Sequence, residues 1–305
     1  MACGNGTAGI FAPEVFNLLG IEVIPLHCDL DASFPNYNPN PEDLKMLKDL
    51  GKHVLAHKAD IGFAFDGDGD RVGVVDNNGH EIFADKIGLL IARNLATEVS
   101  NSKFVIDVKS TSLFSTDEVL KKNNSEIIFW KTGHSYIKRK TSDINATAGF
   151  ERSGHFFFNN PIGRGYDDGI LSALEILKIL DKNENQTISD LYNELTITFS
   201  SPTMSPKCPE ESKYKLVEKI EEIFQHKKKN NETVAGQKIL SILTVNGVRI
   251  HLEDGSWGLV RASSNSPNLV VVCESTISEE RMKEIFNDLN NELMKFNEIG
   301  EYDQN

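Results

Sequence analysis

The sequence predicts an α/β protein that closes with a smaller α+β unit, and three observations carry that reading. Before Ser200, short apolar runs alternate with helical stretches, the order expected of layered α/β units. Polar residues gather just after those runs, at the carboxyl ends of strands, where α/β folds hold ligands. Beyond the proline-rich stretch Ser200 to Pro209 (S-S-P-T-M-S-P-K-C-P), which reads as a linker, strands follow one another directly with a helix on either side.

In chain order, Gly4-Asn5-Gly6-Thr7-Ala8-Gly9 forms a G-x-G-x-x-G ahead of a helical stretch and a strand from Glu22 to Leu26. Taken alone this is a dinucleotide fingerprint with Asp29 as the distant acid, but the fingerprint needs a strand before the glycines and these residues supply none. A strand-to-helix turn without a cofactor is the preferred reading. Asp31 to Pro41 is turn-rich. Leu44 to Val54 reads as a helix and Ala59 to Phe65 as a strand, which suggests a parallel α/β layer. Ile87 to Leu95 places apolar residues at 87, 90, 91 and 95, one helical face. Phe104 to Val108 and Glu126 to Trp130 read as strands, Thr147 to Phe158 as strand-forming text, and Ile170 to Leu180 as a helix. After the linker come a helix from Lys213 to Phe224 and strands at Ile239 to Thr244, Val248 to Leu252, Gly258 to Arg261 and Leu269 to Cys273. A last helix from about Ser278 follows, and the tail 298–305 reads as frayed.

Phe65 to Val74, F-D-G-D-G-D-R-V-G-V, is the stretch around which the rest is arranged. Glycines between Asp66, Asp68 and Asp70 let the backbone bend until side chains at i, i+2 and i+4 converge. Carboxylates brought that close repel one another unless a cation lies among them, and hard oxygen donors suit Mg²⁺ or Ca²⁺. Arg71 adds a planar fork for a phosphate. A solvated Asp/Gly hairpin requires none of this convergence. An EF-hand shares the D-x-D-x-D opening, but its sixth and twelfth positions are here Arg71 and Asn77, and the flanks are strand-like.

Composition bounds the partners. The 32 basic and 45 acidic residues leave a net charge of −13, which argues against general nucleic-acid or anionic-membrane binding. An anionic substrate therefore needs local basic clusters. No apolar run approaches the roughly 18 residues of a membrane span. Cys3, Cys28, Cys208 and Cys273 form no C-x-x-C pair, so neither a zinc site nor a disulfide frame is indicated, and a reduced cytoplasmic protein is the default.

Two further motifs carry chemistry. In Gly149-Phe150-Glu151-Arg152-Ser153-Gly154-His155, a carboxylate, a hydroxyl and an imidazole at i, i+2 and i+4 can grip adjacent sugar hydroxyls. In Trp257 to Pro267, Arg261 leads Ser263, Ser264 and Asn265 at a strand end, a set able to satisfy phosphate oxygens. His134 or His155 can serve as general acid or base near neutral pH. Asp167 and Asp168 read mainly as capping acids for the helix that follows.

The loop D-G-D-G-D-R resembles the metal loop of the α-D-phosphohexomutase superfamily, in its phosphomannomutase/phosphoglucomutase branch. G-F-E-R-S-G-H resembles that family's sugar-specificity loop, with Arg152 in a variable slot. R-A-S-S-N-S-P resembles its phosphate loop, with Ser264 and Asn265 replacing the usual asparagine and threonine. Lys109, in D-V-K-S-T, and His134, in K-T-G-H-S-Y-I-K, match residues of the family's active-site cleft. The resemblance implies two mixed-sheet α/β/α domains (1–82 and 83–197) followed by a smaller α+β C-terminal domain (198–305). It also implies Mg²⁺ on Asp66, Asp68 and Asp70, with catalytic roles for Arg71, Lys109, His134 and His155. Glu151, Ser153, Arg261, Ser263, Ser264 and Asn265 would bind the substrate, a mannose or glucose 1- or 6-phosphate, isomerised through a bisphosphate. The family's T-A-S-H-N-P-like phosphoserine loop is not found in these residues, so the text looks like a mutase without its first domain. The expectation is weak metal binding, measurable hexose phosphate binding and little turnover by these residues alone. A non-catalytic phosphosugar-binding module and a nucleotide-binding oxidoreductase built on Gly4 to Gly9 stay open as alternatives.

Overall fold

The computed structural model describes residues 1–303, which divide into two units: Met1–Ile128 with Gly133–Leu195, and Phe129–Thr132 with the chain from Thr196 onward. In the first unit, helices α1 (Ala8–Leu18) and α2 (Leu44–His57) precede strands β1 (Gly62–Phe65), β2 (Val72–Val75) and β3 (Glu81–Ile82). Asp43 caps α2 by accepting from the amides of Lys45 and Met46, which fixes where the helix starts. Its Met46, Leu47, Leu50 and Val54 share one face and pack with Ala2, Tyr37, Ala64 and Val75 into a core under the sheet.

The regular ladder β1-β2-β3 is antiparallel, and parallel pairing enters this layer through bridges of Ala2 to Ala64 and to Leu26. This corrects two expectations. The layer is mixed rather than parallel, and Glu22 to Leu26 is not a regular strand. The segment pairs through Ile24 O, which accepts from the Met1 amino group at 2.9 Å, and through Leu26, whose amide donates to Met1 O at 2.8 Å.

The unit continues through α3 (Ala84–Glu98), β4 (Lys103–Asp107), α4 (Leu113–Thr116), α5 (Glu118–Lys122), the first three residues of β5 (Glu126–Trp130), α6 (His134–Asp143), β6 (Ala148–Phe150), β7 (Phe156–Phe158), α7 (Gly169–Lys182) and α8 (Ile188–Asn193). Its second sheet has the order β5-β4-β6-β7, with β4 and β6 parallel and β6 and β7 antiparallel. The hairpin β6–β7 presents Glu151 to His155 as its connection. Phe150, at the end of β6, is fully buried among Phe104, Phe114, Phe156 and Phe158.

The second unit holds β8 (Phe199–Ser200), β9 (Ser205–Pro206), α9 (Lys213–Lys229), β10 (Thr233–Val234), β11 (Gln237–Leu243), β12 (Val248–Leu252), β13 (Trp257–Ala262), β14 (Leu269–Ser275), α10 (Glu279–Leu293) and β15 (Tyr302–Asp303). Its main sheet runs β10-β11-β12-β13-β14-β8, with each neighbouring pair antiparallel. Leu216, Ile220 and Phe224 of α9 and Met282, Ile285, Leu289 and Leu293 of α10 close the core with the inward residues of this sheet. Two expectations change here. The stretch read as a linker contributes Ser200 and Ser205–Pro206 to sheets, and the tail read as frayed pairs Tyr302–Asp303 with Ser205–Pro206. Tyr302 also donates its hydroxyl to Asn290 Oδ1 at 2.7 Å. Residues 304–305, included in the frayed reading, lie outside the described residues.

His251, in β12, gives this unit an acid-sensitive point. Burial pushes its imidazole down to about 3, the Arg249 charge adds to the effect, and Glu274 opposes it. The unfolded chain protonates a histidine near pH 6.5, so between about 6.5 and 3 the unfolded state binds more protons and stability falls as pH falls. Replacing His251 with Gln is therefore expected to flatten this part of the acid limb. Unfolding midpoints at neutral and acid pH, compared between variant and parent, check it.

Candidate active site

Three loops of the first unit are fastened together by backbone bonds. Arg71 and His155 form an antiparallel bridge, and the Val72 amide donates to Gly154 O at 3.2 Å. The Gly169 amide donates to Gly69 O at 3.1 Å. Two glycines make these approaches possible. A Cβ on Gly154, whose φ is +96°, would lie 2.6 Å from Val72 O, and one on Gly169 would lie 2.7 Å from both Gly69 O and Arg71 O. The acidic loop, the Glu151 loop and the start of α7 thus form one constellation.

In the acidic loop, carboxylate oxygens of Asp66, Asp68 and Asp70 come within 4.8 Å of one another, as the alternation with glycine predicts. Asp66 is buried and organises the turn: its Oδ1 accepts from the amides of Gly69 and Arg71, both at 3.1 Å, and its Oδ2 from Arg71 Nε at 2.6 Å. Arg71 Nη1 donates to Asn40 Oδ1 at 3.1 Å, so the arginine reaches the acids with two of its nitrogens held by protein acceptors. Asp68 is exposed. Asp70 is pushed up to about 7, first by burial and then by repulsion from Asp66 and Asp68, with His155 opposing. Its Oδ1 is shut from solvent and takes no hydrogen bond among the described residues. Three converging hard oxygens, one of them buried without a donor, suit a divalent cation.

His155 Nδ1 lies 3.0 Å from Asp167 Oδ2 and 3.5 Å from Asp70 Oδ1. Burial alone lowers the proton affinity of this imidazole, but Asp167, Asp70 and Glu151 outweigh it, so its pKa ends above the usual value. His134 stacks on His155 with ring centroids 5.6 Å apart, and its Nδ1 lies 3.7 Å from Asp167 Oδ2. Lys138 Nζ lies 3.6 Å from Asp167 Oδ1. Asp167 is therefore the hub of a His134–Lys138–His155 group. Only Asp168 caps α7, by accepting from the Leu171 amide at 2.9 Å. This corrects the reading of Asp167 as a cap, and two consecutive acids where one suffices was the available signal. Changing Asp167 to Asn removes the acceptor charge, so the His155 imidazole is expected to titrate at lower pH. NMR titration of its ring protons checks the direction.

Glu151 is buried, with Oε1 accepting from the Gly133 amide and Oε2 from Ser153 Oγ at 3.3 Å. Burial raises its pKa, Asp107 adds to this, and Lys109, the Gly133 amide and His155 oppose it. Lys109 is buried, and Arg152 Nη1 donates to its carbonyl at 3.3 Å. The Arg152 guanidinium stands 5.1 Å from the Phe83 ring centre, packed inward rather than offered to solvent. Asp107, next to this group, and Asn40 were not singled out from the sequence.

In the second unit, Arg261 is buried near the end of β13, with Nη1 donating to Ala262 O at 2.8 Å. The turn after it is closed by Ser263 Oγ against Ser266 Oγ at 2.9 Å and by the Asn265 amide donating to Ser263 Oγ at 3.3 Å. Ser264 and Asn265 are exposed.

Three family models match this chain: phosphoglucomutase/phosphomannomutase α/β/α domain II over residues 1–79, α/β/α domain III over 83–199, and the C-terminal domain over 207–292. The chain belongs to the phosphoglucomutase/phosphomannomutase family. It is 38% identical over 286 residues to a phosphomannomutase/phosphoglucomutase of Pseudomonas aeruginosa, covering 93% of this chain and 58% of that one. It is 37% identical over 272 residues to a phosphoglucomutase of Neisseria meningitidis, covering 89% and 56%. A crystal structure of a phosphoglucomutase/phosphomannomutase family protein from Burkholderia thailandensis aligns with a TM-score of 0.83 at 32% identity, covering 96% of this chain and 59% of that one. The fold alone is shared with the N-acetylphosphoglucosamine mutase of Aspergillus fumigatus, at 15% identity and a TM-score of 0.65, covering 96% and 60%. The chain thus spans less than two thirds of the length of each of these proteins. Its mixed α/β organisation agrees with the family layout that the sequence predicts.

Proposed function

We propose that the chain carries the metal-binding and sugar-recognising parts of a phosphohexomutase that interconverts hexose 1-phosphate and hexose 6-phosphate, with mannose or glucose as the sugar. The observation that carries this reading is the fastening of the acidic loop to the His155–Asp167 pair and the Glu151 loop. Asp66, Asp68 and Asp70 would hold Mg²⁺. When bound, the ion neutralises charge on the phosphoryl group in transfer. Arg71 holds a nitrogen fork beside the acids and steadies phosphate oxygens. His155, whose protonated form Asp167 favours, donates a proton to an oxygen of the substrate or stabilises its charge, while against the effect of burial His155 and Lys138 hold the Asp167 carboxyl below its usual range. Lys109 balances the Glu151 charge and lends positive potential to the site. Ser153 and Glu151 orient the sugar through its hydroxyls. In the second unit, Arg261, Ser263, Ser264 and Asn265 form a phosphate-holding element.

We take the chain to act in the cytoplasm. Among the described residues no helix is long and apolar enough to cross a membrane, and none of the four cysteines is in a disulfide.

Calorimetry with glucose 1-phosphate and mannose 1-phosphate in Mg²⁺, run beside a turnover assay, tests the proposal. The expected result is saturable binding of a hexose phosphate with little turnover by these residues alone. Absence of binding to either sugar phosphate overturns the reading. Robust turnover contradicts the expectation of low activity and leaves the mutase assignment standing.

A further inference from the structure

Cys3 and Cys28 lie on segments held side by side by the parallel bridge between Ala2 and Leu26. The Cys3 amide donates to Leu26 O at 3.2 Å and the Leu26 amide to Met1 O at 2.8 Å, which fixes their register. As a result the two Sγ atoms share a hydrogen bond at 3.2 Å. Cys3 is fully buried, while Cys28 is partly exposed, so a reagent in solution reaches the pair through Cys28. A disulfide needs Sγ atoms about 2.05 Å apart, and closing this pair takes a shift of about 1 Å. Neither cysteine belongs to the metal, sugar or phosphate loops.

We propose that Cys28 and Cys3 are an attacking and a resolving thiol that exchange with low-molecular-weight disulfides and close to a Cys3–Cys28 disulfide. The Cys28 thiolate attacks one sulfur of the small disulfide and expels the other as a thiolate, leaving a mixed disulfide on Cys28. Cys3 then gives up its proton, attacks Cys28 Sγ and expels the second small thiolate. Two protein thiols are oxidised, one small disulfide is reduced by two electrons to two thiols, and the two protein S–H protons end on those products. The direction of attack agrees with the acidities. The sulfur–sulfur hydrogen bond with Cys3 lowers Cys28 to about 7 against the effect of burial, and the same bond together with burial raises Cys3.

The pair stands beside the turn on which the acidic loop rests. The Phe65 amide donates to Ala2 O at 2.9 Å and the Thr7 amide to Gly67 O at 2.9 Å. Closing the disulfide ties this platform to the segment ending at Cys28 and restrains its opening.

The test treats the reduced full chain with oxidised glutathione and maps its thiols by mass spectrometry after an acid quench. The expected result is a Cys3–Cys28 disulfide with Cys208 and Cys273 still reduced. Cys3→Ser is expected to retain a glutathione adduct on Cys28, and Cys28→Ser to form neither adduct nor disulfide. A wild-type chain that keeps both thiols, or holds a lasting adduct on Cys28, overturns the proposal. Alkylation rates of the unmodified chain decide the matter even if a variant misfolds. Cys28 is expected to react roughly tenfold faster than Cys208 at neutral pH, and equal rates overturn its role as attacking thiol. Hydrogen exchange at the Thr7 and Phe65 amides is expected to slow on oxidation, and equal exchange in the two forms overturns the restraint of the platform.

Discussion

Replacing Asp68 with alanine is expected to weaken Mg²⁺ binding by more than the about 10–100-fold that loss of an outer-shell partner costs, while leaving the fold intact. Asp68 makes no side-chain hydrogen bond or ion pair among the described residues, so its removal breaks nothing in the turn. Asp66, by contrast, accepts three hydrogen bonds that shape the loop, and its loss would confound binding with folding. Asp68 also repels Asp70, so the variant should bring the Asp70 carboxyl down from about 7. Without metal the variant is therefore expected to be as stable as the parent or slightly more so, because one of three crowded like charges is gone. Calorimetric Mg²⁺ titration and thermal unfolding of the metal-free protein separate the two effects. Unchanged affinity would remove Asp68 from the ligand set.

The second large effect is on stability. Phe150→Ala is expected to cost about 3–5 kcal/mol, the range for deleting a large ring from a core that relaxes only partly. Phe150 is fully buried and meets four other phenylalanine rings, the nearest, Phe156, with centroids 5.3 Å apart. The same residue ends β6, and Glu151 follows it, so packing and site share a backbone. Urea unfolding followed by circular dichroism, with hydrogen exchange of the β4 and β6 amides, measures the loss. A cost below about 1 kcal/mol would mean that the ring cluster collapses around the gap.

What the sequence allowed a reader to see follows from how local each signal is. The acidic loop was legible because period-two alternation of aspartate with glycine between apolar strands permits few other uses. The helices α2, α3, α9 and α10 were legible from apolar periodicity; α2, α3 and α9 run beyond the predicted ends, while α10 stops at Leu293, short of Phe296 on the predicted apolar stripe. Asp167 was not legible in its present role. An acid before a helix has an adequate local explanation, and its 3.0 Å contact with His155 depends on two loops meeting in space. Ser205–Pro206 and Tyr302–Asp303 failed for the same reason, since prolines and a chain end give no local sign of a partner far along the chain. The Cys3–Cys28 contact was equally hidden, because spacing reveals C-x-x-C pairs and not thiols brought together by a parallel bridge.

The central claim is that the acidic loop and the Glu151–His155 loop hold a divalent ion and a hexose phosphate as neighbours. Mn²⁺ in place of Mg²⁺ tests this directly, because its unpaired electrons relax nearby nuclei. NMR relaxation of glucose 1-phosphate is measured with the Mn²⁺-loaded parent and with Asp68→Ala under the same Mn²⁺. The prediction is strong relaxation of the sugar and phosphorus nuclei by the parent, largely lost in the variant. Relaxation by the parent no greater than that by free Mn²⁺, or equal in the two proteins, would contradict the account.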